Sequence, residues 1–167
     1  MAVFENNPEE WQRLDWQILQ NGWTSLYWQK SVLDEDLNWF ISEKYRVIDF
    51  DCTTWTTPNH IHKDLKKKLD FADYYGENWA ALNDCLSDFE IQETGHVIAF
   101  RHFQIVDKDI AHSLLDILAR NSRLHNLFGK RLLTLVQVDD PDYQLGQVGS
   151  YEILWNGAEW LKSKRGL

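Results

Sequence analysis

Only two cysteines, Cys52 and Cys85, occur in 167 residues. That is too few for the disulfide framework of a small secreted scaffold, and no paired C-x-x-C spacing suggests zinc, so a reducing compartment is the simplest reading. Long apolar runs are also missing. No stretch approaches the roughly eighteen residues a membrane span requires, and the opening Met1-Ala2-Val3-Phe4-Glu5 has neither the cationic region nor the hydrophobic run of a secretory signal. The expectation is a soluble, cytoplasmic protein with no membrane partner, with export by a route that needs no signal peptide left open. Basic charge is short: 17 Lys and Arg stand against 26 Asp and Glu, a formal net charge of −9. Affinity for nucleic acid comes mainly from Lys and Arg displacing counterions, so direct nucleic-acid binding is disfavoured and a basic protein partner is favoured. Internal repeats, low-complexity tracts and flexible linkers are absent as well.

What is present is apolar and aromatic. Hydrophobic residues make up 44% of the chain and nine are tryptophan, which excludes wholesale disorder. A chain of this length hides about 70% of its unfolded surface, so neither metal nor disulfide is needed for stability. Asn7-Pro8-Glu9-Glu10 reads as an N-cap, a proline at the first helical position and a glutamate reaching back, and Asn21-Gly22 as the close of that helix, with Trp11, Leu14 and Ile18 facing inward. Trp23 to Gln29 alternates like a strand, with Thr24, Leu26 and Trp28 on one side, and Ser31 to Asp34 opens a second helix that buries Leu33, Leu37, Phe40 and Ile41. Residues 1–44 thus read as a helix, strand, helix extension docked through tryptophans at 11, 16, 23, 28 and 39. From Tyr45 the pattern alternates between strand and helix. Strands are expected at Val47 to Phe50, Val97 to Phe103 and Leu132 to Val138, and helices at His60 to Leu69, from about Asn78, and at Asp109 to Asn121. Residues 45–139 form the central unit. Residues 140–167 add an edge strand at Tyr151 to Trp155 and a helix at Ala158 to Lys162. The fold class is α/β: a small, mainly parallel sheet flanked by helices through right-handed crossovers, with additions at both ends.

The charge concentrates between Leu69 and Gly95, where Asp70, Asp73, Glu77, Asp84, Asp88, Glu90 and Glu93 occur without a single Lys or Arg. The helix beginning near Asn78 divides into an apolar side (Trp79, Leu82, Leu86, Phe89) and an outer side on which Ala80, Asn83, Asp84 and Ser87 recur at helical spacing. Asp84 is therefore expected on a platform of small residues facing water. A solvated helix face is the commoner use of such a run. The order of residues points elsewhere.

Tyr74-Tyr75-Gly76-Glu77-Asn78, followed by Ala81-Leu82 and Asp84-Cys85-Leu86, resembles the most recognisable stretch of the barstar family, intracellular protein inhibitors of barnase-type ribonucleases. The resemblance reaches upstream through His62 to Leu69 to the strand at Val47 to Asp51, and more weakly downstream to the strand near Leu132. It implies a barstar-like layered fold whose second helix and preceding loop plug a ribonuclease active site, with no catalysis and no cofactor. It also places Tyr74, Gly76, Asn78, Ala80, Asn83, Asp84 and Ser87 at or beside the partner-binding surface, and Cys85 at the position of a family cysteine. The physical sense is direct: a ribonuclease groove holds phosphate with Arg, Lys and His, and a carboxylate on a rigid helix can take the phosphate's place with charge-assisted hydrogen bonds. The chain also departs from the family pattern. Ala80 stands for an aspartate, Asn83 and Phe89 for tryptophans, and Arg120 at the position of another acidic contact. The expected function is that of an inhibitor or immunity protein occluding a basic ribonuclease or ribonuclease toxin; the alternative is a noncatalytic adaptor of the same fold with a different basic partner.

The remaining motifs are weaker. His60-Ile61-His62 has no third metal ligand at suitable spacing and reads as solvated or capping histidines. His96, His102, His112 and His125 are dispersed, with no nucleophile motif beside them, which argues against a hydrolase triad. Gly146-Gln147-Val148-Gly149 lacks the lysine of a phosphate loop and reads as a turn.

Overall fold

The computed structural model describes residues 4–92 and 94–167; Met1 to Val3, and Glu93 of the acidic run, lie outside the described residues. In chain order the elements are α1 (Pro8–Trp11), α2 (Leu14–Gln20), β1 (Thr24–Tyr27), α3 (Lys30–Ser42), β2 (Arg46–Asp51), α4 (Pro58–Leu69), α5 (Trp79–Ser87), β3 (His96–Arg101), α6 (Lys108–Leu127), β4 (Leu132–Gln137) and β5 (Leu154–Trp155). The five strands form one sheet in the order β2-β3-β4-β1-β5, and every pairing is parallel. No helix among the described residues is long and apolar enough to cross a membrane.

Handedness sets the layers. The chain steps from β2 to β3 to β4 in one direction across the sheet, so right-handed crossovers put α4, α5 and α6 on one face. The step from β1 to β2 runs the other way and carries α3 to the opposite face. There Tyr27 donates its hydroxyl to Asp36 of α3 at 2.6 Å. Strands covered on both faces should be mainly apolar, and the middles of β3 and β4 are: Val97, Ile98, Phe100, Leu133, Leu135 and Val136 are all fully buried, with Thr134 the one polar residue among them. Phe50 and Phe100 stack across the β2–β3 pair with ring centroids 5.4 Å apart, and Trp55 closes over both.

The sheet unites the three stretches read from the sequence. β2, β3 and β4 come from residues 45–139, β1 from 1–44 and β5 from 140–167, and β1 lies hydrogen-bonded between β4 and β5. The one-sided alternation expected at Trp23 to Gln29 is corrected as well: β1 is covered on both faces of the sheet, and all four of its residues are buried. The first helix is also two. Arg13 is extended (φ −69°, ψ 141°) because its guanidinium grips Asp15 at 3.0 Å and Glu43 at 2.8 Å, and this break turns Trp11 outward, 45% exposed. Ile41 is likewise exposed, not buried. β3 stops at Arg101, short of Phe103, since His102 takes a left-handed conformation (φ 57°) whose N–H bonds the Gln137 side chain at 2.9 Å.

The termini of the later elements differ too. α6 runs six residues past Asn121. The edge strand is two residues long, and Tyr151 pairs instead with Val148 in an antiparallel bridge. Residues 158–162 are not an α-helix: the Asn156 side chain accepts from the N–H of Ala158 and of Glu159, forming a turn that leads to a single 3-10 turn, Lys162–Arg165.

Candidate partner-binding site

The site is built from the loop between α4 and α5 and from α5 itself. α4 ends because Asp70 turns left-handed (φ 55°) and the N–H groups of Asp70 and Phe71 both return to the Lys66 carbonyl. Two aromatic rings then pin the loop. Phe71 packs on Tyr75 with centroids 5.1 Å apart, and the Tyr75 hydroxyl lies 2.6 Å from His62 Nδ1. Burial pushes the Tyr75 phenol up and His62 down from their ordinary values, so the phenol keeps its proton and donates it to a neutral imidazole. His62 is thus a buried anchor, which corrects its reading as a solvated or capping residue. His60 is exposed, with its Nδ1 2.8 Å from the Thr56 hydroxyl. With both ends of the loop held, Tyr74 is left standing 85% exposed.

Asn78 joins loop to helix. Its side-chain oxygen accepts from Ala81 N–H at 2.9 Å, capping α5, and its amide donates to the Gly76 carbonyl at 3.1 Å. A methyl group on Gly76 would meet that amide at 3.2 Å, which explains why the smallest residue stands there. α5 buries Leu82 and Leu86 and is fixed against α6 by two polar contacts: Asn121 donates to the Asn83 side-chain oxygen at 3.1 Å, and His125 Nε2 reaches the Leu86 carbonyl at 2.7 Å. On the outer side Ala80 and Asp84 are exposed. Among the described residues no donor side chain pairs with the Asp84 carboxylate.

The residues singled out in the sequence fall into two groups. Tyr74 and Asp84 face one cavity of about 520 Å³, together with Asp70, Asp88, Glu90 and Arg46. Ala80, Asn83 and Ser87 lie on the other flank, toward α6, where the Ser87 hydroxyl is spent on the Asp84 carbonyl at 2.8 Å. Gly76 and Asn78 shape the junction. Asn83, half-buried and bonded to Asn121, serves helix packing, while Arg120 is exposed and pairs with Asp116 at 3.1 Å. Arg46 is the residue that sequence reasoning missed: it is 38 positions from Asp84 and reaches the cavity only because β2 is the sheet's edge strand. Cys85 also lines the cavity, and burial followed by the charges of Asp84 and Asp88 raises its thiol, which favours the protonated form.

Chemically the site offers carboxylate acceptors, one phenol and aromatic walls, a set suited to a guanidinium or ammonium group. The dispersed histidines lie elsewhere: His96 and His125 are buried, His102 bonds Asp139 at 2.6 Å, and His112 reaches the Gln147 carbonyl. Residues 45–137, which hold β2, the whole site, α6 and β4, match the family model described as Barstar (barnase inhibitor). The match takes in more than half of the chain. The chain belongs to the Barstar family. It is also 67% identical over 27 residues to a Bacillus subtilis (strain 168) protein named "Putative ribonuclease inhibitor YrdF"; this stretch is 16% of the present chain and 30% of that protein's length. β1 and β5, by contrast, lie outside the Barstar match, so the sheet of this chain is wider by two strands than its family segment.

Proposed function

We propose that this Barstar-family chain is a protein inhibitor that occludes the basic active site of a ribonuclease, acting without cofactor and without catalysis. The observation that carries the reading is Asp84: an exposed carboxylate, unpaired among the described residues, on a helix locked at both ends by Asn78 and by α6. The helix backbone is already held in place, so only the Asp84 side chain loses freedom on binding, at small cost beside its charge-assisted bonds to Arg, Lys or His of a phosphate site. Tyr74, on the pinned loop, meets the partner beside it. Asp70, Asp88 and Glu90 extend the negative field around this contact.

The partner need not be uniformly basic. Arg120 adds a cation on α6, and the Asn83 side chain is committed to Asn121, so a ribonuclease toxin whose rim differs from barnase is favoured over barnase itself. The test is titration of a purified barnase-type ribonuclease, and of any nuclease captured from the native cell, with the wild-type chain and with Asp84→Ala. Stoichiometric inhibition is expected for the wild type, with affinity reduced by about 2–5 kcal/mol in the variant and an unchanged unfolding midpoint. Equal inhibition by both proteins would remove Asp84 from the contact, and a captured partner that is basic but not a nuclease would favour the adaptor reading.

A further inference from the structure

A second cavity, of about 370 Å³, opens at the far edge of the sheet. All of its lining comes from residues 11–27 and 154–160, so it exists only because the two ends of the chain meet outside the Barstar segment. α5 lies on the crossover between β2 and β3, whereas this cavity borders β1 and β5, beyond β4. Both sites can be occupied at once.

The chemistry of the lining is unusual for this protein. Charged residues are 26% of the chain, yet among the described residues none lines the cavity. Trp11, Trp155 and Trp160 stand around it. Trp155 is fixed by the Arg165 guanidinium stacked 4.2 Å from its centroid, while Trp11 and Trp160 keep 45% and 64% of their surface in water. Gln17, Gln20 and Asn21 add exposed side-chain amides at the mouth. A charged ligand would lose hydration here without gaining a counter-charge. A wholly apolar ligand would cover amides and leave them unpaired. The remaining match is a ligand with an apolar face to lie on indole and a rim of hydroxyls, each donor and acceptor at once, to meet amides that are also both. The volume, at the small end of the roughly 300–1,000 Å³ typical of ligand pockets, suits one or two rings.

We propose that this cavity is a binding site for a neutral saccharide, stacked against Trp160 and Trp11 and hydrogen-bonded by the amides at the mouth. The experiment is calorimetric titration, with indole emission followed in parallel, of the full chain against maltose, cellobiose and N,N′-diacetylchitobiose, with glucuronate and N-acetyltryptophanamide as controls. At least one disaccharide is expected to bind saturably and to perturb the emission, and Trp160→Ala is expected to weaken it by about tenfold, the equivalent of one lost stacking contact. Trp11→Ala and Gln17→Leu provide independent variants at exposed positions should Trp160→Ala fold poorly. The assignment is overturned if no disaccharide binds saturably, if the well-folded variants bind as tightly as the wild type, or if either control binds more tightly than every disaccharide.

Discussion

His96, at the first position of β3, is fully buried, with Phe89 edge-on 5.2 Å away and its Nδ1 without a hydrogen-bond partner among the described residues. Burial, followed by the nearby charges of Arg46 and His125, holds its pKa down at about 4. In the unfolded chain the ring titrates near its ordinary value of about 6.5. Between those two values the unfolded state takes up a proton that the folded state refuses, so stability must fall as pH drops from about 6.5 to about 4, by about 3 kcal/mol once the window has been crossed. His62 is lowered as well and acts in the same direction; its bond to Tyr75 is what holds the loop carrying Tyr74. Urea unfolding measured at pH 7 and again near the lower edge of that window should show the loss, and His96→Leu should flatten the slope. An identical slope in the variant would assign the acid sensitivity to other groups.

At the scale of elements, the least local contact concerns the start of α3. Its preceding N–H groups, those of Trp28 and Gln29, have no helical partner, and both donate to Glu159, 2.8 and 2.9 Å away and about 130 residues distant in sequence. Glu159 is itself buried, held by Asn156 at 2.7 Å, while Arg165 binds the Glu159 and Trp160 carbonyls. Glu159→Ala removes the acceptor of two part-buried donors, and a loss of about 1–3 kcal/mol is expected, seen as a lower urea midpoint at unchanged denaturant slope; a midpoint within error of the wild type would mean that water replaces the carboxylate. The same contact explains where sequence reading stopped. Helices with a strong apolar stripe and a local cap, such as α5 behind Asn78, were legible because the determining residues are within four positions of one another. The segment after Asn156 reads as a helix in sequence, whereas its turn is set by the Asn156 side chain and fixed in place by Glu159 reaching Trp28 and Gln29 across the fold. β1 reads as one-sided in sequence because nothing local announces that both faces of the sheet are covered there. At the candidate site, the exposure of Asp84 is what helical spacing predicts and Tyr74 is singled out by resemblance alone, whereas Arg46 is brought to the cavity by sheet order.

Over the whole molecule, the formal charge of −9 is distributed unevenly. Of the four lysines of α4, two are engaged: Lys66 reaches Asp73, and Lys68 lies 4.0 Å from Asp64, donates to the Asp49 carbonyl and holds its ammonium 4.8 Å from the Phe50 ring centroid, while Lys63 and Lys67 stand exposed. Arg101 is spent on Asp34 and Asp49. The cavity beside Asp84, by contrast, holds four carboxylates among the described residues, Asp70, Asp84, Asp88 and Glu90, against the single cation Arg46. A basic ribonuclease approaching this side would feel attraction before contact, and one approaching the α6 flank would meet Arg120 and Arg123. Long-range attraction raises the encounter rate and is screened by salt, whereas desolvated contacts at the centre of an interface govern dissociation. Stopped-flow mixing with an inhibited ribonuclease, from ionic strengths of about 0.01 M to 1 M, shrinks the Debye length from about 30 Å to about 3 Å. The association rate should fall steeply across that range while dissociation changes little. Substituting Asp70 and Glu90 together with their amides should flatten the salt dependence of association, while Asp84→Ala should act mainly by speeding dissociation. Association that is insensitive to salt in the wild type would mean that the partner docks away from the acidic face, even if inhibition itself were observed.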